Sequence, residues 1–411
     1  MSRSPGTAHP RAGRALVALT VTSLVAACTG SGATVAPTSV EPPATSPPSA
    51  APNARATPFP SPGGFDTAAF ASMSEDAVSE ERAAKFQAVL ETMAGEGGIT
   101  ATVMTLQGTW SGAFGKADDV RDVVVDSQFG IGSVTKSVIA AQVMQLVEAG
   151  ELSLDDPATD HLPADFAFDT NGATIRQLLD MRSGIPDWYG EAMAAELAKD
   201  RARVWNPADV LALVDPARSP AGSEFEYADT NYNLLGLVIE HVRQRPLVDV
   251  LRDGVLRVEG TERLIYQPAE APSEPMAMPL GESRDALEKG GGYLPSLSDA
   301  SSAGPAGSLA SDSLSLARWW RAFCAGEIVS VVSLTEMSTF VGGLDGYGLG
   351  LFNVADPWGV GIGHTGGNFG YSAWAGCMPG DHSVVVVVLA NRWVDDLGGL
   401  PKPLVMAARS N

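Results

Sequence analysis

Residues 129–150 constrain the fold of this chain more than any other stretch. They read Phe-Gly-Ile-Gly-Ser133-Val-Thr-Lys136, followed by Ser-Val-Ile-Ala-Ala-Gln-Val-Met-Gln-Leu-Val-Glu-Ala-Gly. The second half is apolar on nearly every side, and a helix of that kind belongs inside a large core. A chain of 411 residues can supply such a core. Ser133 and Lys136 are three apart, so on a helix they share a face. Gly130 and Gly132 keep the approach free of side chains. The free N–H groups and positive end of a first helical turn suit a serine nucleophile that must stabilise an oxyanion. A lysine one turn away can take the serine proton if burial keeps it neutral. The tetrapeptide by itself is a weak signal, because a capping serine followed by an exposed lysine spells the same pattern.

The N-terminal end carries an address. Arg3, Arg11 and Arg14 precede an apolar run over 15–27 that meets Cys28. The run is too short to span a bilayer and reads as a secretory signal. Leu24-Val-Ala-Ala-Cys28 is similar to a bacterial lipoprotein signal, which implies that Cys28 becomes an acylated N-terminus. An ordinary cleaved signal is the alternative. Residues 28–64 are Pro, Ser, Thr, Ala and Gly with few large apolar groups, so they are expected to form a disordered tether. The expected place is outside the cytoplasm, on the outer face of the cell membrane, held by the lipid anchor. Loss of the three arginines would move the net charge from −21 to −24. That acidity argues against nucleic acid as a partner. Cys324 and Cys377 could pair in an exported protein or stay free. The five histidines show no metal-ligand spacing, so neither a metal nor an organic cofactor is implied.

Folded sequence is expected from residue 65 to 411. A helix is predicted over 79–93 and a hairpin over 99–106 and 109–114. Residues 152–280 read as a mostly helical lobe, with helices over 173–181, 207–214 and 231–243. A Gly/Ser-rich passage spans 290–307, and a helix follows over 311–324. Strands are predicted over 347–353, 359–363, 371–377 and 383–389, where the valine run 384–388 is a central-strand signal. Strands at both ends with helices between give an α+β architecture. A sheet lobe comes from both termini, with helices on its faces and a helical lobe inserted.

Two further elements carry chemistry. In Phe225-Glu-Tyr227-Ala-Asp229-Thr-Asn231, extended chain would point Tyr227 and Asp229 the same way. A phenol beside cations can shuttle a proton, while core packing of Tyr227 and helix capping by Asp229 are the bland alternative. In Gly361-Ile-Gly-His364-Thr365-Gly366-Gly367, glycines at this density on a strand mark the close approach of another backbone. A tight turn with an incidental histidine stays open there.

Taken in order, the three elements resemble the penicillin-recognising serine hydrolases, the beta-lactamase-related family of class C beta-lactamases, D-alanyl-D-alanine carboxypeptidases, D-aminopeptidases and esterases. The resemblance covers about residue 65 to the C-terminus and includes the stretches 152–157, 177–187 and 306–311. It implies a serine beta-lactamase/transpeptidase-like fold, with Ser133 as nucleophile and Lys136 and Tyr227 handling the proton. It further implies an oxyanion hole from Ser133 and Gly367, and substrate contacts from Asp229, His364, Thr365 and Gly366. Asp229 stands where the family motif usually has Asn, and a carboxylate there would bias Lys136 toward its protonated form. His364 stands for the usual Lys, so partial charge and pH-sensitive activity near neutrality are expected of it. The implied function is a D-alanyl-D-alanine carboxypeptidase or related D-peptidase acting on cell-wall peptides through an acyl-enzyme. An esterase or beta-lactamase is the first alternative, and a slow or non-catalytic penicillin-binding, sensing lipoprotein the second.

Overall fold

The computed structural model describes residues 57–58, 67–272, 276–280, 296–341, 346–356, 359–368 and 370–410. The leader, Cys28 and nearly all of the expected tether lie outside the described residues. Helix α1 (Glu80–Met93), with Ser79 capping its first turn, leads into the hairpin β1 (Gly98–Thr105) and β2 (Gly108–Gly115). Strand β3 (Phe129–Gly130) passes through a 3-10 turn at Gly132–Val134 into α2 (Thr135–Glu148). A helical region follows, containing α3 (Ile175–Leu179) and α4 (Thr230–Arg243). Then come β4 (Ile265–Tyr266), α5 (Leu297–Gly307), β5 (Leu309–Ser311) and α6 (Ser313–Cys324). The chain ends with β6 (Phe352–Asp356), β7 (Gly359–Asn368), β8 (Tyr371–Met378), β9 (Val384–Ala390) and α7 (Lys402–Arg409).

Among the described residues, six strands form one antiparallel sheet in the order β2-β1-β9-β8-β7-β6. The sheet therefore joins the N-terminal hairpin to the C-terminal strands, and the helical region lies between them in sequence. Strand β9 is buried on both faces, which explains its unbroken valines. Val385, Val387 and Leu389 face the larger core, where α2 and α6 pack. Val384, Val386 and Val388 face a smaller core with Phe86 and Leu90 of α1 and Leu404 and Val405 of α7. A short sheet of β3, β5 and β4 feeds the chain into the 3-10 turn.

Helix α2 is submerged along most of its length, with Val138, Ile139, Ala140, Ala141 and Val143 fully buried. One passage left without an element gains one, and one expected strand is shortened. The 290–307 passage is a helix from Leu297, with a kink at Gly304 (φ +46) ahead of Pro305. Its small residues hid it, since they give no apolar period. They are what allows α5 to pack closely, and a Cβ on Gly236 of α4 would stand 2.2 Å from the Pro305 ring. The strand expected over 347–353 begins only at Phe352. Tyr347 makes isolated bridges to Val341 and Phe352, and Gly350 turns the chain at φ +73.

Cys324 at the end of α6 and Cys377 of β8 form a disulfide, with both residues fully buried and their Cα atoms 6.8 Å apart. It ties a helix to the sheet across a separation of 53 residues. Replacing both cysteines by serine should lower stability by about 2–5 kcal/mol through loss of the closed loop. Urea denaturation followed by tryptophan fluorescence would measure this.

Candidate active site

Ser133 sits in the 3-10 turn just ahead of α2, partly exposed between the buried Gly132 and Val134. Gly132 adopts φ +51, a conformation few side chains tolerate. The Ile131 N–H donates to the Leu309 carbonyl (2.9 Å), which pins the turn to the short sheet. Lys136, one turn on, is completely buried. Its Nζ donates to Ser133 Oγ at 2.9 Å and to the Ala306 carbonyl at 2.8 Å, and it forms an ion pair with Asp229 Oδ1 at 2.7 Å. The Ala306 carbonyl is available because it belongs to the last turn of α5, where backbone acceptors lose their helical partners.

The Tyr227–Asp229 segment reaches the same ammonium. Lys136 Nζ lies 5.1 Å from the centre of the Tyr227 ring, and the phenol interacts with the side chains of both Ser133 and Lys136. Asp229 occupies the N-cap position of α4 but makes no capping bond with its side chain, which turns to Lys136. Burial works against the charge on Lys136. The Asp229 carboxylate and Tyr227 outweigh it, and the lysine pKa is held above its ordinary value. Burial raises Tyr227 as well; Lys136 pulls it down and Asp229 pushes it up, and it too ends above the ordinary phenol value. At rest the cluster holds an ammonium, a phenol and a carboxylate.

Strand β7 forms the opposite wall. Its pairing with β6 stops at Gly363, so among the described residues 364–368 have a partner strand on one side only. Gly366 lies against the nucleophile turn, and a Cβ there would stand 2.0 Å from the Ile131 carbonyl oxygen. Thr365 and Gly367 are partly exposed on the same strand, and Gly367 lies under the Trp393 ring. His364 is only 1 % exposed. Its Nδ1 lies 2.6 Å from the Thr365 carbonyl, an acceptor only, so Nδ1 carries the proton. Nε2 is then an acceptor, facing the Tyr347 hydroxyl at 3.0 Å. Burial, followed by the charge of Lys136, pushes the His364 pKa down to about 3. The expectation of a partly charged histidine near neutrality is corrected: the ring is neutral, and both its nitrogens are engaged within the protein.

Sequence reasoning gave no role to three other contributors. Tyr347 packs edge-on to the His364 ring and to the Tyr227 ring (centroids 5.7 and 5.9 Å apart). The Ala306 carbonyl belongs to a passage for which no element was predicted. Asp187, in the Ile-Pro-Asp stretch, lies against Asp229. Its loop is held by Thr230, whose Oγ1 donates to the Pro186 carbonyl (2.8 Å) and accepts the Trp188 N–H (2.9 Å). Asp187 accepts the Tyr189 N–H at 3.1 Å, and burial followed by the Asp229 charge raises its pKa to about 6. An Ile-Pro-Asp turn is no signal in itself; the proximity arises only through folding.

A partly exposed serine on a glycine-shaped turn, backed by a buried lysine and a tyrosine between an antiparallel sheet and a helical layer, defines the serine-hydrolase fold of the beta-lactamase and penicillin-binding proteins. The chain belongs to the Beta-lactamase family, whose profile matches residues 83–406. It is 30 % identical to Protein flp of Staphylococcus aureus (strain MW2) over 135 residues, 32 % of this chain and 26 % of that protein. It is 35 % identical to Penicillin-binding protein 4 of Amycolatopsis lactamdurans over 170 residues, 39 % of this chain and 42 % of that one. The matches thus span about a quarter and under half of the length of these curated relatives. Among solved structures, the D-stereospecific amidohydrolase from Streptomyces sp. superposes with a TM-score of 0.63 and 28 % identity. That match covers 80 % of this chain and 98 % of the other.

Gly366→Ala should disturb the site while leaving the fold in place. The added methyl forces β7 away from the nucleophile turn, at a cost of about 1–3 kcal/mol. A shift of that size should slow acylation of Ser133 by roughly 100-fold. Stopped-flow acylation kinetics alongside a thermal melt would separate the two effects.

Proposed function

We propose that this protein is a serine acyl hydrolase of the D-peptidase or amidase kind, working through an acyl-enzyme on Ser133. The observation that carries the reading is the 2.9 Å contact between a fully buried Lys136 Nζ and Ser133 Oγ, with the Tyr227 ring centre 5.1 Å from the same ammonium. A nucleophile in contact with its proton handlers favours an active enzyme over a sensing protein that merely keeps the fold. The likeness to a D-stereospecific amidohydrolase supports D-configured peptides or amides as the substrate class.

In this reading Ser133 attacks the acyl carbonyl, and the backbone N–H groups of Ser133 and Gly367 polarise it. Losing one such donor typically slows an enzyme by roughly 10²–10³. The serine proton passes into the Lys136–Tyr227 pair and returns to the leaving group, after which water releases the acyl chain. Thr365 and Gly366 line the path of the substrate along the free edge of β7. Both proton handlers are protonated at rest, so the pair must lose one proton before it can act. The pair titrates as a unit, and acylation should therefore speed up as pH rises. The same reading places the domain outside the cytoplasm, tethered through an acylated Cys28.

Two experiments test this. Mass spectrometry after treatment with a fluorophosphonate or a penicillin should show a single adduct on Ser133. Ser133→Ala should take no label and should hydrolyse no acyl substrate above background; a variant as active as the parent would overturn the reading. In Asp229→Asn the charge that holds up the Lys136 pKa is gone while burial still lowers it. The acid limb of the acylation profile should move to lower pH by about one unit or more. An unmoved limb would mean that Lys136 is not the group being titrated.

A further inference from the structure

A second cleft lies in the helical region, and acyl transfer at Ser133 makes no use of it. Its volume is about 600 Å³. The segment 163–169 lines one part of it, and the short helix Pro207–Leu211 with the turn 214–217 lines the rest. None of Ser133, Lys136, Tyr227 or Asp229 belongs to its lining. The lining is largely apolar. Phe166 and Phe168, tilted with ring centroids 6.5 Å apart, share it with Ile185, Leu211 and Val214. Three acidic residues, Asp165, Asp169 and Asp215, are exposed on the same lining. Asp169 accepts the Asn171 N–H at 2.8 Å. Asp165 and Asp215 have no cationic partner among the described residues. No lysine or arginine lines the cleft, and Arg218, next after Ala217, is paired with Glu226 at 2.7 Å. Hydrogen bonds hold the cleft in shape. Asn171 Nδ2 donates to the Ser183 and Ser219 carbonyls (2.8 and 2.9 Å), and the Arg218 N–H donates to the Gly184 carbonyl (2.8 Å). These bonds tie the ends of both lining segments to the chain just before Ile185.

We propose that this cleft is a second binding site, separate from the catalytic one, and that it takes small amphipathic amines. An aromatic or branched apolar body lies against Phe166, Phe168 and Val214, and its ammonium meets Asp165, Asp169 and Asp215. A preformed, mostly apolar concavity of this size suits one small organic molecule. A stable protein partner would need roughly 800 Å² of this chain's surface, far more than a concavity between two short segments offers. The sign of the charge follows from the acidic residues. With no cation on the lining to offset them, they attract an ammonium and repel a carboxylate, and the net charge of −21 acts in the same direction. A neutral molecule of the same shape gains the apolar contact without the charge. The preference therefore runs amine, then alcohol, then acid, for one and the same body.

The probe is para-(aminomethyl)benzophenone, which carries two rings, an ammonium at neutral pH and a photoreactive ketone. Its para-hydroxymethyl analogue and para-benzoylbenzoic acid keep the body and change the charge. Calorimetry on the whole protein should show the amine bound more tightly than the alcohol by about tenfold, with the acid weakest. Irradiation followed by peptide mapping should place the amine's label within 163–169 or 207–217. Asp165→Asn combined with Asp215→Asn should remove most of the tenfold advantage and leave binding of the alcohol unchanged. Ala208→Trp, at an exposed position on the lining, should fill the cleft and abolish binding of both, with a thermal melt to show that the variant is folded. If that variant does not fold, the position of the label in the wild-type protein decides. The proposal is overturned if the amine does not bind, if the acid binds as well as the amine, or if the label falls around Ser133 or elsewhere. A protein that runs as a dimer and takes no label in the cleft overturns it too, since a second copy would then be the occupant. None of these results bears on acylation of Ser133, which is read separately.

Discussion

A lysine ammonium with no exposure to solvent is the constraint on which the rest of this structure depends. Moving such an ion out of water costs several kcal/mol, and the cost is offset only if its protons find acceptors in good geometry. Lys136 finds hydrogen-bond acceptors in Ser133 Oγ at 2.9 Å and the Ala306 carbonyl at 2.8 Å, and an ion-pair partner in Asp229 Oδ1 at 2.7 Å. Those acceptors come from three places: the turn that opens α2, the last turn of α5, and the residue ahead of α4. The lysine can be satisfied only when all three elements have docked. The catalytic cluster and the packing of the helical layer are therefore one arrangement, and a change to any of these partners is felt as a buried, underpaired charge.

Much of this could be read from the chain before any coordinates. The apolar period of 137–147 announced a submerged helix, and the valine run 384–388 announced a strand covered on both faces. Such runs carry this information because burial on all sides leaves little room for charged residues, and 137–147 has none. Ser133, Lys136, Tyr227, Asp229 and the glycine-rich strand were each visible as motifs, because the chemistry demands particular residue types. Three things were not visible, for physical reasons. Helix α5 packs by smallness, and a run such as Leu-Ser-Asp-Ala-Ser-Ser-Ala-Gly-Pro-Ala-Gly has no hydrophobic stripe to show. The Ala306 acceptor is a backbone atom, which no side-chain pattern can reveal. The state of His364 depends on burial and on the charge of Lys136, far away in sequence, so residue type suggested a titrating group where the folded protein leaves a neutral one.

Asp229 shows how one residue can serve two ends that conflict. As a carboxylate it neutralises Lys136 and lets the ammonium stay buried. It also sits at the head of α4, where the positive end of the helix favours a negative group. Both effects stabilise the resting protein. Yet an ammonium so well paired is a poor base, and the phenol beside it is held above its ordinary pKa too. In the proposed mechanism the serine therefore lies beside its proton acceptors in a state that cannot yet accept. A carboxamide at this position would relieve the lysine of its counter-ion and leave the ammonium to burial alone, so the base would form more readily while the cluster became less stable. In the proposed mechanism a carboxylate there trades readiness for integrity: stability of the helical layer and the pH at which Ser133 becomes reactive hang on one ion pair, and neither can be altered at residue 229 without moving the other.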